Sequence, residues 1–161
     1  MSMKYLNYAV TFQEVPNEVS LVLNITNCPH RCEGCHSPEL RENIGRPVLD
    51  DFESLLDKHK DIITCVCFMG GDNDGVDGLL KCISICKRRG LKTCLYTGRA
   101  NAWDTFILLE LDYCKMGPYI EELGGLDSPT TNQRFYKRTN FADGKGYMIE
   151  DITSTFWRKK E

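Results

Sequence analysis

No apolar run in the sequence approaches the ~18 residues that a membrane-spanning helix needs, and the opening residues Met1-Ser2-Met3-Lys4-Tyr5 lack the apolar stretch of an export leader. Both absences set the expectation of a cytoplasmic protein with no membrane partner. A dominant charge sign is missing too. The 20 Lys and Arg nearly balance the 23 Asp and Glu, for a net charge of −3. Nucleic acid is therefore not an expected partner, because no general basic field exists to hold it. The one basic cluster, Lys81, Lys87, Arg88, Arg89 and Lys92, lies around a predicted helix end, where cations are favoured anyway. Histidine is scarce, at three residues, and His30 and His59 read as surface side chains. No repeat, linker or second domain is visible. The 161 residues, 42% of them hydrophobic, suit a single domain over 1–161 with one buried core.

Cysteine, by contrast, is abundant. Nine residues is an odd and high count, and without an export leader reduced thiols and metal binding are expected rather than disulfides. Three of the nine fall in Asn27-Cys28-Pro29-His30-Arg31-Cys32-Glu33-Gly34-Cys35-His36, at spacing C-x3-C-x2-C. So short a run, holding both Pro29 and Gly34, does not read as a strand or a full helix. It reads as a loop that curls around something, with Pro29 and Gly34 allowing the curl. Three converging thiolates repel one another unless a cation neutralises them. The occupant is a zinc ion, with His30 or His36 as a fourth ligand, or an iron–sulfur cluster. A four-iron cluster usually takes four thiolates, so three would leave one iron open to a substrate. The other six cysteines sit in apolar periodic runs. Cys82 and Cys86 are one helical turn apart and Cys65 and Cys67 share a strand face, which is how small apolar core residues are spaced.

The chain alternates strand and helix signals. Residues 1–18 form a lead-in with at most a short strand. Val19–Ile25 reads as a strand, Pro47–Lys60 as a helix capped by Asp50 or Asp51, and Ile62–Met69 as a buried parallel strand. Residues 76–88 read as a helix stopped by Gly90, Leu91–Gly98 as a strand, Ala102–Leu109 as a helix and Leu111–Met116 as a short strand. The tail from Gly124 onward is expected to wrap the fold in turns, with a late strand at Gly146–Ile152. Strand–loop–helix repeats imply an α/β fold with a mainly parallel sheet and right-handed crossovers. Too few repeats are present for a closed eight-stranded barrel, so the expectation is an incomplete β/α barrel. The cysteine run follows the C-terminal end of a strand, and Gly70-Gly71-Asp72 follows another, where α/β folds place ligands.

The C-x3-C-x2-C run resembles the signature of radical S-adenosylmethionine enzymes, and Gly70-Gly71-Asp72 resembles that family's Gly-Gly-Glu element, with Asp one methylene shorter than Glu. Gly34 stands where the family often has an aromatic residue near the adenine. Together with Gly-Gly-Asp, it is similar to one branch, the activating proteins of anaerobic ribonucleoside-triphosphate reductase. His36-Ser37-Pro38-Glu39-Leu40, Tyr96-Thr97-Gly98, Gly117-Pro118-Tyr119-Ile120 and Asn132-Gln133-Arg134 resemble further segments of that branch, so the likeness covers about residues 5–137. Met116 and Thr130-Thr131 depart from its pattern, where Asp and Gly-Ser are common. The resemblance implies a partial barrel of the radical S-adenosylmethionine type. It implies a [4Fe-4S] cluster on Cys28, Cys32 and Cys35, and S-adenosylmethionine held near Gly34, His36, Gly70, Gly71, Asp72, Tyr96 and Thr97. It also implies two partners, the reductase large subunit and a flavodoxin- or ferredoxin-like electron donor. An activase for a formate-lyase type glycyl-radical enzyme and a non-enzymatic Cys3His zinc module are the competing readings.

Overall fold

The structure, a computed structural model, describes residues 3–26, 44–70, 77–98 and 110–160. Its strands are β1 (Lys4–Thr11), β2 (Ser20–Ile25), β3 (Arg46–Pro47), β4 (Cys65–Met69), β5 (Lys92–Tyr96), β6 (Tyr113–Met116), β7 (Arg134–Asn140) and β8 (Tyr147–Asp151). Among the described residues two helices, α1 (Val48–His59) and α2 (Asp77–Arg88), join them, and a 3-10 helix over Thr153–Lys160 follows β8. The helix expected at Ala102–Leu109 lies outside the described residues.

The strands form one open sheet in the order β3-β1-β2-β4-β5-β6-β7-β8. The expectation of a mainly parallel sheet holds for the centre alone. β2, β4, β5 and β6 run parallel to their neighbours in that group, while β1, β3, β7 and β8 are added antiparallel at the flanks. The lead-in is a full eight-residue strand rather than a short one, because β1 pairs with β2 along nearly its whole length. β7 was not expected. Its residues Arg-Phe-Tyr-Lys-Arg-Thr-Asn are too polar to signal a strand, and Phe135 is the only one of them fully buried. The long polar run is accommodated because β7 pairs on both sides, so its backbone groups are satisfied while its side chains stay wet.

Burial on both faces explains the near-continuous apolar runs of the central strands. One face carries Leu21, Leu23, Ile25, Val66, Phe68 and Leu95, and it packs under Phe52, Leu55 and Leu56 of α1 and Leu79 and Ile83 of α2. The Phe52 and Phe68 rings meet there at 6.0 Å, and each such ring contributes about 1.5–3 kcal/mol when taken out of water. The opposite face carries Val22, Cys65, Cys67, Cys94, Tyr113 and Phe135. In α1 the helix starts at Val48 after Pro47, with no side-chain cap. Asp50 and Asp51 therefore lie inside the first turn, where they favour the helix dipole without capping it. Gly90 ends α2 at φ +72°, in the left-handed region a C′ glycine supplies.

Candidate functional site

Because β2, β4, β5 and β6 run the same way, their carboxyl ends share one edge. The register joins Asn24 to Met69, Met69 to Tyr96 and Tyr96 to Lys115 across that edge. Strand side chains alternate faces, so this row shares the face of Val22, Cys67, Cys94 and Tyr113. It presents an amide, a thioether, a phenol and an ammonium side by side on the face away from α1 and α2. Asn24, Met69 and Lys115 escaped the sequence reading, since only register tells which strand residues stand in one row.

The backbone at this edge is shaped by glycine. Gly70 sits at φ +100° and donates its N–H to the Tyr96 carbonyl at 2.9 Å. A side chain there would face ordinary contact with Ile25 at 3.5 Å, so conformation rather than space selects glycine. Gly117, at φ +107°, is limited by both, because a Cβ would lie 3.3 Å from Gln133 Cα. The late Asn132-Gln133 pair folds back onto this turn. Asn132 Nδ2 donates to the Pro118 carbonyl at 3.1 Å, and Gln133 Nε2 to that of Gly117 at 3.3 Å. The structure thus brings together two segments that lie some fifteen residues apart (|i−j| of 14 and 16). The two departures from the branch pattern have structural roles: Met116 is buried in the helix-side core, and the Thr130 and Thr131 hydroxyls satisfy the carbonyls of Leu123 and Gly124.

Tyr96 is half-buried, and its ring meets Phe135 edge-on at 5.9 Å. Its hydroxyl donates to the Glu14 carbonyl, which ties the β1–β2 connection to the sheet. Burial pushes the phenol pKa well up, so it stays protonated and donating. Thr97 is buried and extends the ladder by donating its N–H to the Lys115 carbonyl at 2.9 Å. Lys115 Nζ donates to the carbonyls of Thr97 at 3.2 Å and Gly117 at 3.0 Å, and lies 5.7 Å from the Tyr96 ring centroid. That places the Lys115 ammonium among strand-end carbonyls and beside an aromatic face.

Of the residues singled out from sequence, Gly70, Tyr96 and Thr97 are at this edge. Cys28, Cys32, Gly34, Cys35, His36, Gly71 and Asp72 lie outside the described residues. In sequence, Cys28 comes three residues after β2 ends at Ile25, and Gly71 follows Gly70. His59 is on α1, where Nδ1 donates to the Leu55 carbonyl at 2.9 Å and the ring meets Tyr8 edge-on.

Six cysteines are described and all are buried. Cys65, Cys67 and Cys94 occupy one face and Cys82, Cys86 and Cys114 the other. Burial raises the Cys82 and Cys86 thiols to about 12 and pushes Cys65 and Cys94 well up as well, because a thiolate has no solvation there. Among the described residues no group of three His, Cys, Asp or Glu side chains is arranged to hold a metal ion. Neutral, packed thiols make poor ligands.

No family model matches the chain, and no curated protein or solved structure matches it. Among the described residues no helix is long and apolar enough to cross a membrane.

Proposed function

We propose that this chain is an iron–sulfur activase of the radical S-adenosylmethionine type, an incomplete β/α barrel that generates a glycyl radical on an anaerobic ribonucleoside-triphosphate reductase. The observation that carries the reading is positional. In sequence the C-x3-C-x2-C run begins three residues past β2, Gly70-Gly71-Asp72 follows β4 and Tyr96-Thr97 ends β5, and these three parallel strands have their carboxyl ends at one edge. Ligands of α/β sheets bind at that edge.

In this reading Cys28, Cys32 and Cys35 hold a [4Fe-4S] cluster and leave one iron free. When bound, such a cluster would supply the one electron needed for reductive cleavage of S-adenosylmethionine, the chemistry that would remove a hydrogen atom from a glycine of the partner. The protein's own side chains bind and orient. Asp72 accepts a charge-assisted hydrogen bond from the ammonium of S-adenosylmethionine, and Gly70 and Gly71 let the ligand approach the backbone closely. Gly34 leaves the adenine to be held by backbone or another side chain, with His36 beside it. The Tyr96 hydroxyl is engaged by Glu14, so Tyr96 offers the adenosine its ring, and Thr97 offers strand-end backbone. The electron comes from a flavodoxin- or ferredoxin-like donor, and the substrate is the reductase large subunit.

The test is anaerobic reconstitution with iron and sulfide, then reduction and mixing with S-adenosylmethionine and the candidate reductase. The expected result is a brown protein with about four irons, 5′-deoxyadenosine and methionine as products, and a doublet paramagnetic resonance signal on the reductase. Cys28→Ala, Cys32→Ala and Cys35→Ala each lose the cluster, while Cys82→Ala and Cys86→Ala keep full iron. A colourless protein with stoichiometric zinc overturns the reading in favour of the zinc module. A radical that forms only on another glycyl-radical enzyme reassigns the partner to the formate-lyase type.

A further inference from the structure

The row at the carboxyl edge of the parallel strands extends past Asn24 onto β1. Asn7 faces Asn24 across the antiparallel pair, and Asn24 Nδ2 donates to Asn7 Oδ1 at 2.5 Å. A β-bulge puts Asn7 there. Tyr5 pairs with Ile25 and Asn7 with Asn24, so β1 takes two steps where β2 takes one, and Leu6 is the extra residue. In an unbroken register Asn7 would stand opposite Leu23, on the side packed under α1 and α2. The bulge re-aims it to the face of Met69 and Tyr96. Asparagine suits strands poorly. Two of them directly opposite, brought into line by a bulge, are not what sheet stability selects.

The pair is open to a ligand. Asn7 is exposed and Asn24 half-buried, and among the described residues their shared bond is the only one either side chain makes. Two amides that share one hydrogen bond keep a carbonyl oxygen and an NH2 group for a third group. An extended residue offers the complement, since its own N–H and C=O point the same way and can bond side by side. The surroundings are small and apolar: exposed Ala9 lies two residues along β1 on the same face, and Met69 stands beyond Asn24. Adjacent strands lie about 4.8 Å apart, which puts Asn24 about 10 Å and Asn7 about 14 Å along the row from Tyr96. A nucleobase stacked on Tyr96 therefore leaves both amides to a second ligand.

We propose that Asn7 and Asn24 form a main-chain recognition site, at which an extended, glycine-bearing segment of the protein substrate gives its N–H to one amide and takes an N–H from the other. The inference rests on the reading that this edge serves a protein substrate. Glycine suits the site because, without a Cβ, its backbone can approach the two amides and Ala9 closely.

The experiment follows the side-chain NH2 resonances of the isotope-labelled, metal-free, reduced full chain by nuclear magnetic resonance. The probes are acetyl-triglycine dimethylamide, the same peptide with every glycine nitrogen methylated, and adenosine. The glycine peptide is expected to shift the Asn7 and Asn24 signals saturably. The methylated peptide keeps its carbonyls but has no N–H, and is expected to bind at least about tenfold more weakly, the order for one lost hydrogen bond. Asn7→Ala and Asn24→Ala are each expected to weaken the glycine peptide about tenfold for the same reason. Circular dichroism establishes folding, and Asn7→Ala, at the exposed position, decides alone if Asn24→Ala does not fold. Equal binding of the two peptides overturns the main-chain site, as does a glycine peptide that moves neither signal. Adenosine that moves both signals where the glycine peptide does not reassigns the pair to a nucleobase and overturns it as well. A wild type that binds the glycine peptide at the pair but forms no radical on the reductase strikes down the proposed function alone. A wild type that forms the radical while the peptide leaves both signals unmoved strikes down the main-chain site alone.

Discussion

Asp51 shows how one side chain can serve several elements. It accepts two hydrogen bonds from Arg46, at 2.7 and 2.9 Å, and one from the Tyr5 hydroxyl at 2.7 Å. The Arg46 bonds come first in holding its carboxyl down from 3.8 to about 2, with the Tyr5 bond next. A carboxylate whose folded pKa lies below its unfolded value adds stability above the unfolded pKa and loses it as pH falls through the folded one. The Asp51 contribution is therefore complete above pH 3.8 and is lost as pH falls toward 2. Asp51→Asn is expected to flatten the acid limb of a stability-against-pH curve in that window, as read by urea midpoints. A limb as steep as the wild type's would place the acid sensitivity elsewhere. The sequence offered Asp50 or Asp51 as a helix cap, and neither caps it. It could not show that β3 brings Arg46 alongside, because that pairing depends on β1, some forty residues earlier.

At the scale of elements, Glu18 ties together the amino-terminal ends of the central strands. It is 8% exposed. Its carboxylate accepts from the Thr64 hydroxyl at 2.7 Å, just before β4, and from the Tyr113 hydroxyl at 2.8 Å in β6. Lys92 Nζ of β5 stands 3.7 Å away. Glu18→Ala leaves two hydroxyls without their acceptor and is expected to destabilise the fold by about 2–4 kcal/mol. Denaturant unfolding checks this, and a loss within ~0.5 kcal/mol would show that these hydrogen bonds add no more than exposed ones do. This edge is opposite the candidate site, so metal uptake by the folded variant is expected to be unchanged. The separation follows from topology: parallel strands put all their carboxyl ends on one side, leaving the other side free for cross-bracing.

Across the whole molecule, six of the nine cysteines are built into the two cores of the sheet. Their thiols are reached only by opening the strands or α2, and those of Cys82 and Cys86, at about 12, stay protonated at neutral pH. In the native, metal-free chain no more than three thiols are expected to react rapidly with a thiol reagent, with the rest following at the rate of unfolding. Mass mapping should place the rapid labels at Cys28, Cys32 and Cys35. Fast labelling of Cys67 or Cys94 would show that the face away from the helices is open to solvent, contrary to the packing of Phe135, Ile152 and Phe156 against it.

The central strands and both described helices were legible in the chain because burial on two faces, or on one helical stripe, writes its period directly into the residues: Cys65–Met69 is apolar throughout, and Leu79, Cys82, Ile83 and Cys86 recur at helical spacing. The proposal that Cys28, Cys32 and Cys35 bind a metal rests on local spacing and thiolate repulsion alone, and those residues lie outside the described ones. What sequence did not carry was pairing. The polar β7, the antiparallel flanks, the row Asn24–Met69–Tyr96–Lys115 and the facing of Asn7 and Asn24 all depend on hydrogen bonds between backbone groups far apart in the chain. Backbone donors and acceptors are the same in every residue but proline, so only the tertiary structure decides which of them meet.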